Sequence, residues 1–288
     1  MQVLGFLGRW ASLSLSVVSM ACSVEVGAEH APSNTGTTRA VIAVTRSAPA
    51  SAPDAARADA FAGFLRTPAG SDAKSALALA GLRVDLPANG ECRKGALREG
   101  AASGLTAAEL LDAGEVTVSA GGTVTTLAPR AFPSITDTIS GVVYTTRDRA
   151  AAPLPAATTY TVSATGGSSL EALAGFGQAP ALLTGVELAG EPFGSVESVV
   201  PGHDLALIWA PGSAGDRVYV ELDGDSEPMF CSFADESGRG TVPASVVPQQ
   251  GSGTLSVHRL RESAFSDAGL AQGALRFDFE LSASVTFE

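Results

Sequence analysis

The sequence predicts a mostly-β protein, an antiparallel sandwich of one or two modules behind a flexible N-terminal tether, and three observations carry this. Over residues 275–288 apolar and polar positions alternate without an error in phase, the mark of a half-buried strand. Shorter runs of the same kind recur between residues 116 and 257, separated by Gly, Pro, Asp or Ser. Turn formers are abundant, with 32 Gly and 16 Pro in 288 residues, which works against long helices.

In chain order, residues 1–21 carry a single cation, Arg9, then Ala11, Leu13, Leu15, Val17, Val18 and Met20 without another charge. This apolar stretch is shorter than the ~20 residues that span a bilayer and ends in small side chains, as export signals do. Residues 22–58 are rich in Ala, Ser, Thr and Pro and are expected to form the tether, with room for one short strand at Val41, Ile42 and Val44. A first sandwich module is expected over residues 59–188 and a second over 189–288, with the boundary where Gly190, Pro192 and Gly194 interrupt the pattern. A single continuous sandwich is the alternative.

Within these modules, strands are expected at residues 116–118, 124–127, 142–144, 160–162, 205–209, 218–222, 229–233 and 255–257. The terminal run is long for one strand, where about 5–6 residues is typical, so a bend is expected near residues 282–284. Residues 76–82 are read as strand because Leu82, Val84 and Leu86 continue the alternation. Short helical connectors are expected where Thr106 and Glu109 precede Leu110 and Leu111, and where Ser168 and Glu171 precede Gly175. Antiparallel pairing is favoured throughout, since a parallel neighbour demands a long crossover.

Composition removes several classes of function. The balance is acidic, 18 basic residues against 30 acidic, so the cationic surplus that nucleic-acid binding requires is missing. Three His are too few for a His-built metal site: His30 falls in the tether, His203 in a turn, and His258 is expected to face outward with Ser256. Neither a Gly-x-Ser-x-Gly elbow nor a His-Glu-x-x-His helix occurs, and no phosphate-binding Gly loop precedes either Lys; no catalytic motif and no cofactor is therefore expected. The best site candidate is Glu221, Asp223, Asp225 and Glu227, whose oxygens could gather around Ca²⁺, although Asp223 and Gly224 equally form a hairpin turn. Acidic loop residues acting as a carboxylate pair are the remaining hydrolytic reading.

Cys92 and Cys231 lie far apart in the chain, and without Cys-x-x-Cys spacing the zinc-ribbon and thioredoxin-like readings fail. In an oxidising compartment they are expected to bridge, which the chain-entropy model values at about 4–5 kcal/mol.

Val18, Ser19, Met20, Ala21 and Cys22 resemble a bacterial lipoprotein cleavage site, which implies lipidation of Cys22; Ser19 and Ala21 also satisfy ordinary signal cleavage, which implies simple secretion. Leu154, Thr158, Tyr160 and Val162 resemble the tyrosine corner of fibronectin type III and immunoglobulin-like sandwiches, and Trp209 resembles their core Trp. Cys231, Phe233, Asp235, Gly238, Val242 and Pro243, together with residues 258–261, resemble uncharacterised lipoproteins of myxobacterial type. These resemblances imply an exported cell-envelope or outer-membrane lipoprotein, held to the membrane only through Cys22. The expected role is a non-catalytic interaction or structural module whose partner is an envelope protein or polysaccharide. The alternatives are a secreted hydrolase or a calcium-dependent adhesion module.

Overall fold

The computed structural model describes residues 36–71, 74, 77–78, 84–95, 108–135, 139–146, 155–224 and 227–288. Thr35–Glu288 form one compact unit. Its strands run in order β1 (Gly36–Pro49), β2 (Arg57–Pro68), β3 (Cys92–Lys94), β4 (Ala108–Leu110), β5 (Val116–Ala120), β6 (Thr123–Ile135), β7 (Ile139–Thr145), β8 (Thr159–Ala164) and β9 (Leu173–Gln178). The second half adds β10 (Glu187–Leu188), β11 (Glu191–Pro192), β12 (Ser198–Val199), β13 (Leu205–Ile208), β14 (Arg217–Asp223), β15 (Met229–Ala234), β16 (Arg239–Val242), β17 (Gly251–Phe265) and β18 (Gln272–Phe287). A 14-stranded mixed sheet runs β3-β15-β14-β17-β18-β1-β2-β4-β7-β6-β5-β8-β9 with β12 beside β18, and β11-β10-β13-β16 form a small antiparallel sheet.

The mostly-β expectation holds, but two details change it. Residues 36–58 are not tether: β1 lies between β2 and β18 near the middle of the large sheet. Ala40 to Val44 are all buried, the near-continuous apolar run of a strand covered on both faces, so the composition that reads as flexible spacer is that of a central strand with small side chains. Ala58, Ala60 and Ala62 on β2 are equally buried, and the volume they leave belongs to Phe64, Tyr144, Tyr160 and Phe277 in the same core. The sheet is also not purely antiparallel. β1 pairs in parallel with β18, from Arg39 opposite Gln272 to Pro49 opposite Ser282. The crossover that such pairing requires is the whole intervening chain, so no helix is needed to make it.

Two cores result. In the first, β1, β2 and the start of β18 pack with β5, β8 and β9, and Leu275, Phe277 and Phe279 meet Val116, Val118, Tyr160 and Val162. β6 joins the two layers, pairing with β5 over Thr123–Leu127 and with β7 from Ala128 onward. In the second, β14, β15, β17 and the end of β18 pack with the small sheet, bringing Val285, Phe287, Leu255 and Val257 against Leu205, Leu207 and Trp209. β18 therefore serves both cores along its length, which explains an alternation too long for one ordinary strand. Its ladder with β17 is unbroken from Gly273 to Phe287; the change expected near 282–284 occurs in its neighbour, where β1 ends and β12 takes over at Thr286. The unit consequently continues across the expected boundary at 188/189, although the two cores divide near that point.

Three local expectations are corrected. Glu109 lies in β4 and Gly175 in β9, so neither capping pattern starts a helix: both segments are recruited by neighbouring strands. Gly175 is needed where it stands, since a Cβ there would lie 2.6 Å from the Phe265 ring. Leu77 and Ala78 are helical rather than extended, and Leu77 packs on Val41, Leu65 and Ala274.

Cys92 and Cys231 face each other across the β3–β15 ladder and form the disulfide, 139 positions apart in the chain. Tyr160 is fully buried, and its hydroxyl donates to the Pro155 carbonyl at 2.8 Å, five residues upstream.

Candidate functional site

Strands β14, β17 and β18 turn one set of alternate residues into the cores and present the other set on the opposite face. That second set is polar: Tyr219 and Glu221, Ser256 and His258, Arg276, Asp278 and Glu280. Register places Tyr219 beside His258 and His258 beside Glu280. The Tyr219 and His258 rings stack with centroids 4.1 Å apart and planes 10° from parallel. His258 Nδ1 lies 2.9 Å from Asp278 Oδ1, and the Tyr219 hydroxyl donates to Asp278 Oδ2 at 2.7 Å. Ser256 Oγ donates to Glu280 Oε1 at 2.9 Å, and Glu221 Oε2 stands 3.8 Å from His258 Nε2.

His258 is therefore not outward-facing in the sense of being solvated; it is only 7% exposed. Leu86, from the segment before β3, packs on Tyr219, Phe230 and Leu260 and covers this end of the face. Burial pulls the imidazole pKa down, but Asp278, then Glu280 and Glu221, outweigh it, and the net shift is upward. For Asp278, burial pulls upward and is outweighed by His258, with help from the Tyr219 hydroxyl, so its carboxyl titrates below its ordinary range. Burial, reinforced by Asp278, pushes the Tyr219 phenol well up. All three shifts favour the same state, an imidazolium beside a carboxylate with the phenol neutral.

This arrangement resembles the acid–base half of a nucleophilic triad, and its chemistry is different. The His258 Nε2 atom is shut off from solvent, and what faces it is a Glu221 carboxylate rather than a hydroxyl or thiol. The only nearby hydroxyl on β17, that of Ser256, is committed to Glu280. The pair bears on stability through its shifted pKa values. A His whose folded pKa is raised contributes stability in full below its unfolded value of about 6.5 and loses it as pH rises through the folded value. Asp278, with its pKa lowered, contributes above about 3.9 and loses that contribution as pH falls through its folded value. Calorimetric melting temperatures are thus expected to fall as pH rises above about 6.5 in the native chain, and His258→Gln is expected to flatten that limb. Parallel limbs in the two proteins are the contrary result.

A second buried network joins residues that the sequence reading did not single out as a site. Arg259 and Asp235 are 1% and 0% exposed. Arg259 Nη2 donates to Asp235 Oδ1 at 2.9 Å and to the Ala210 carbonyl at 2.6 Å, and Nη1 donates to the Leu182 carbonyl at 2.9 Å. Its Nε stands 2.8 Å from Asp235 Oδ2 as an ion pair without hydrogen-bond alignment. Trp209 Nε1 donates to Asp235 Oδ1 at 2.8 Å. Two residues on, Arg261 holds both Asp216 oxygens at 2.6 Å. The signal for this was phase: Arg259 and Arg261 occupy the inward positions of Leu255 and Val257 on β17.

Of the acidic candidates, Glu221 belongs to the His258 group, and burial, with Asp223 among the neighbouring carboxylates, raises its pKa. Asp223 and Glu227 are exposed, and Asp225 lies outside the described residues, as does Cys22. Among the described residues no group of three or more His, Cys, Asp or Glu side chains is placed to hold a metal ion. His203 is exposed in its turn, and Asp204 beside it accepts the Ala244 amide at 2.8 Å. No described helix is long and apolar enough to cross a membrane.

What these features define is a class: a mostly-β protein with one disulfide, a large mixed sheet and a small antiparallel one. Compared with known proteins, the chain matches no family model and no curated protein.

Proposed function

We propose that the chain is an exported cell-envelope protein, anchored through a lipid on Cys22, whose folded part is a non-catalytic interaction or structural module of immunoglobulin-like sandwich type. The observation that carries this is the Cys92–Cys231 disulfide between adjacent strands, a bond at home in oxidising compartments outside the cytoplasm. The apolar stretch of residues 10–21, uncharged after Arg9 and followed by Cys22, supports export and lipidation. The sandwich reading draws on the Tyr160–Pro155 closure and on Trp209 buried in one core with Cys231.

The non-catalytic reading draws on how the buried acids are used. Asp278 binds Tyr219 and His258, Asp235 binds Arg259 and Trp209, and Asp216 binds Arg261; each is spent on holding strands and loops together. An envelope protein or polysaccharide is the partner class. Metabolic labelling with a palmitate analogue tests the anchor. Label is expected on the native chain and absent from Cys22→Ala, with the variant released into the soluble fraction. Equal labelling of both, or of neither, overturns the anchored reading.

A further inference from the structure

Over the first core, β5, β8, β9 and the opening of β6 turn one set of side chains inward, and the alternate set forms an outer face. Register carries one row of that face straight across the four strands: Val124 beside Ser119, Ser119 beside Thr161, and Thr161 beside Phe176. With strands about 4.8 Å apart, the row is about 14 Å long. No Asp, Glu, Lys, Arg or His occurs over residues 116–120, 123–127, 159–164 and 173–178, in a chain with 17% charged residues. Phe176 and Val124, 71% and 67% exposed, are the two most exposed large apolar side chains among the described residues. β9 is seated closely beneath the Phe176 ring, since a Cβ at Gly175 or Gly177 would lie 2.6 Å from the Phe265 ring or 3.0 Å from Leu275 Cδ2. Beside it Thr159 Oγ1 donates to Gln178 Oε1 at 2.9 Å, which leaves the amide hydrogens of Gln178 for another acceptor.

We propose that this face binds a neutral polysaccharide, with the Phe176 ring stacking on a sugar ring and Thr161 and Gln178 hydrogen-bonding its hydroxyls. The charge of the face selects the partner. An anionic glycan finds no cation here, whereas a neutral chain displaces water from hydroxyls and an amide without stripping any ionised group. The face of an aromatic ring is electronegative and attracts the polarised C–H groups of a sugar, and the hydroxyl and amide side chains both donate and accept, as sugar hydroxyls do. Protein docking sites are centred on Trp, Tyr or Arg, and none of these stands on the outer face. The inference rests on the reading of the folded part as an interaction module and narrows its partner class; it is independent of the lipid at Cys22.

Affinity electrophoresis of the purified full chain in native gels containing dextran, galactomannan, xyloglucan or the anionic polymer alginate tests it. At least one of the three neutral polymers is expected to retard the chain, and alginate is not. Phe176→Ala is expected to weaken that retardation about tenfold, the loss of one aromatic contact, and Phe176→Tyr to preserve it. Because Phe176 is so exposed, an unchanged melting temperature is expected of both variants and confirms that they fold. Retardation unchanged in Phe176→Ala overturns the assignment of this face and leaves the interaction-module reading standing. No retardation by any neutral polymer, or equal retardation by alginate, overturns the neutral-polysaccharide class and leaves that reading with a protein partner. Self-association in sedimentation velocity that Phe176→Ala abolishes overturns the proposal in favour of a second copy on this face.

Discussion

Replacing Arg259 with Met is expected to destabilise the protein by about 3–5 kcal/mol, the largest effect of any single substitution considered, because it strands a charge. Asp235 is fully buried and keeps only the Trp209 indole N–H as a side-chain donor once the guanidinium is gone. The carbonyls of Leu182 and Ala210 lose their donor at the same time. Nothing nearby can swing in to help. Gly212 lies so close that a Cβ on it would stand 1.9 Å from Asp235 Oδ2, and Arg261 is already committed to Asp216. Urea denaturation of the native chain, Arg259→Met, Asp235→Asn and the double variant measures both the loss and the coupling. The double variant is expected to cost clearly less than the two single changes added together, since removing both partners leaves no unpaired charge. A loss under about 1 kcal/mol for Arg259→Met would mean that the carboxylate finds water, and the account of this network would be wrong.

The second large effect concerns the disulfide. Converting Cys92 and Cys231 together to Ala is expected to cost about 4 kcal/mol, because the bond closes 139 residues and the unfolded chain regains the corresponding freedom. The loss has a local face as well. β3 meets β15 at only three residues, and the segment before it is held by Leu86 on Tyr219, by Arg217 donating to the Pro87 carbonyl and by backbone bonds of Gly90 and Glu91 with Ser232. Amide exchange at Cys92–Lys94 is therefore expected to quicken more than exchange in β17 or β18. Identical denaturation midpoints with and without reductant would count against a stabilising bridge.

How far the residues themselves foretold this protein depends on the range of the interaction concerned. β5, β8, β14, β15 and β17 were legible because a buried face imposes its two-residue period on adjacent side chains. The pairing of Cys92 with Cys231 was legible too, since the resemblance that assigns Cys22 to lipidation leaves only these two. β1 was not: with both faces covered, Ala40 to Val44 show no alternation, and their flanking Ser, Thr and Pro resemble a spacer. The connectors at Glu109 and Gly175 failed for a related reason, as a local capping pattern yields when a neighbouring strand offers a full ladder.

The candidate site was the least legible part. Alternation correctly put His258 on the face opposite Leu255 and Val257, and then assigned that face to water. Leu260 among polar neighbours was the one sign that something covers it, and the cover, Leu86, comes from a segment far away in the chain. Asp235 and Arg259 gave a sign through phase, but neither names its partner until the 3-10 turn after β15 is placed beside β17.

By itself, then, the sequence determined that the chain is built of strands, which side chains of each strand share a face, and which two thiols meet, because each follows from spacing along the backbone or from composition. Only the tertiary structure decided that β1 lies parallel to β18, that one long strand serves two cores, and that the ionisable groups around His258 on the second face are buried. Those outcomes depend on which distant segments come to lie over a given surface, and a two-residue repeat carries no record of what covers it.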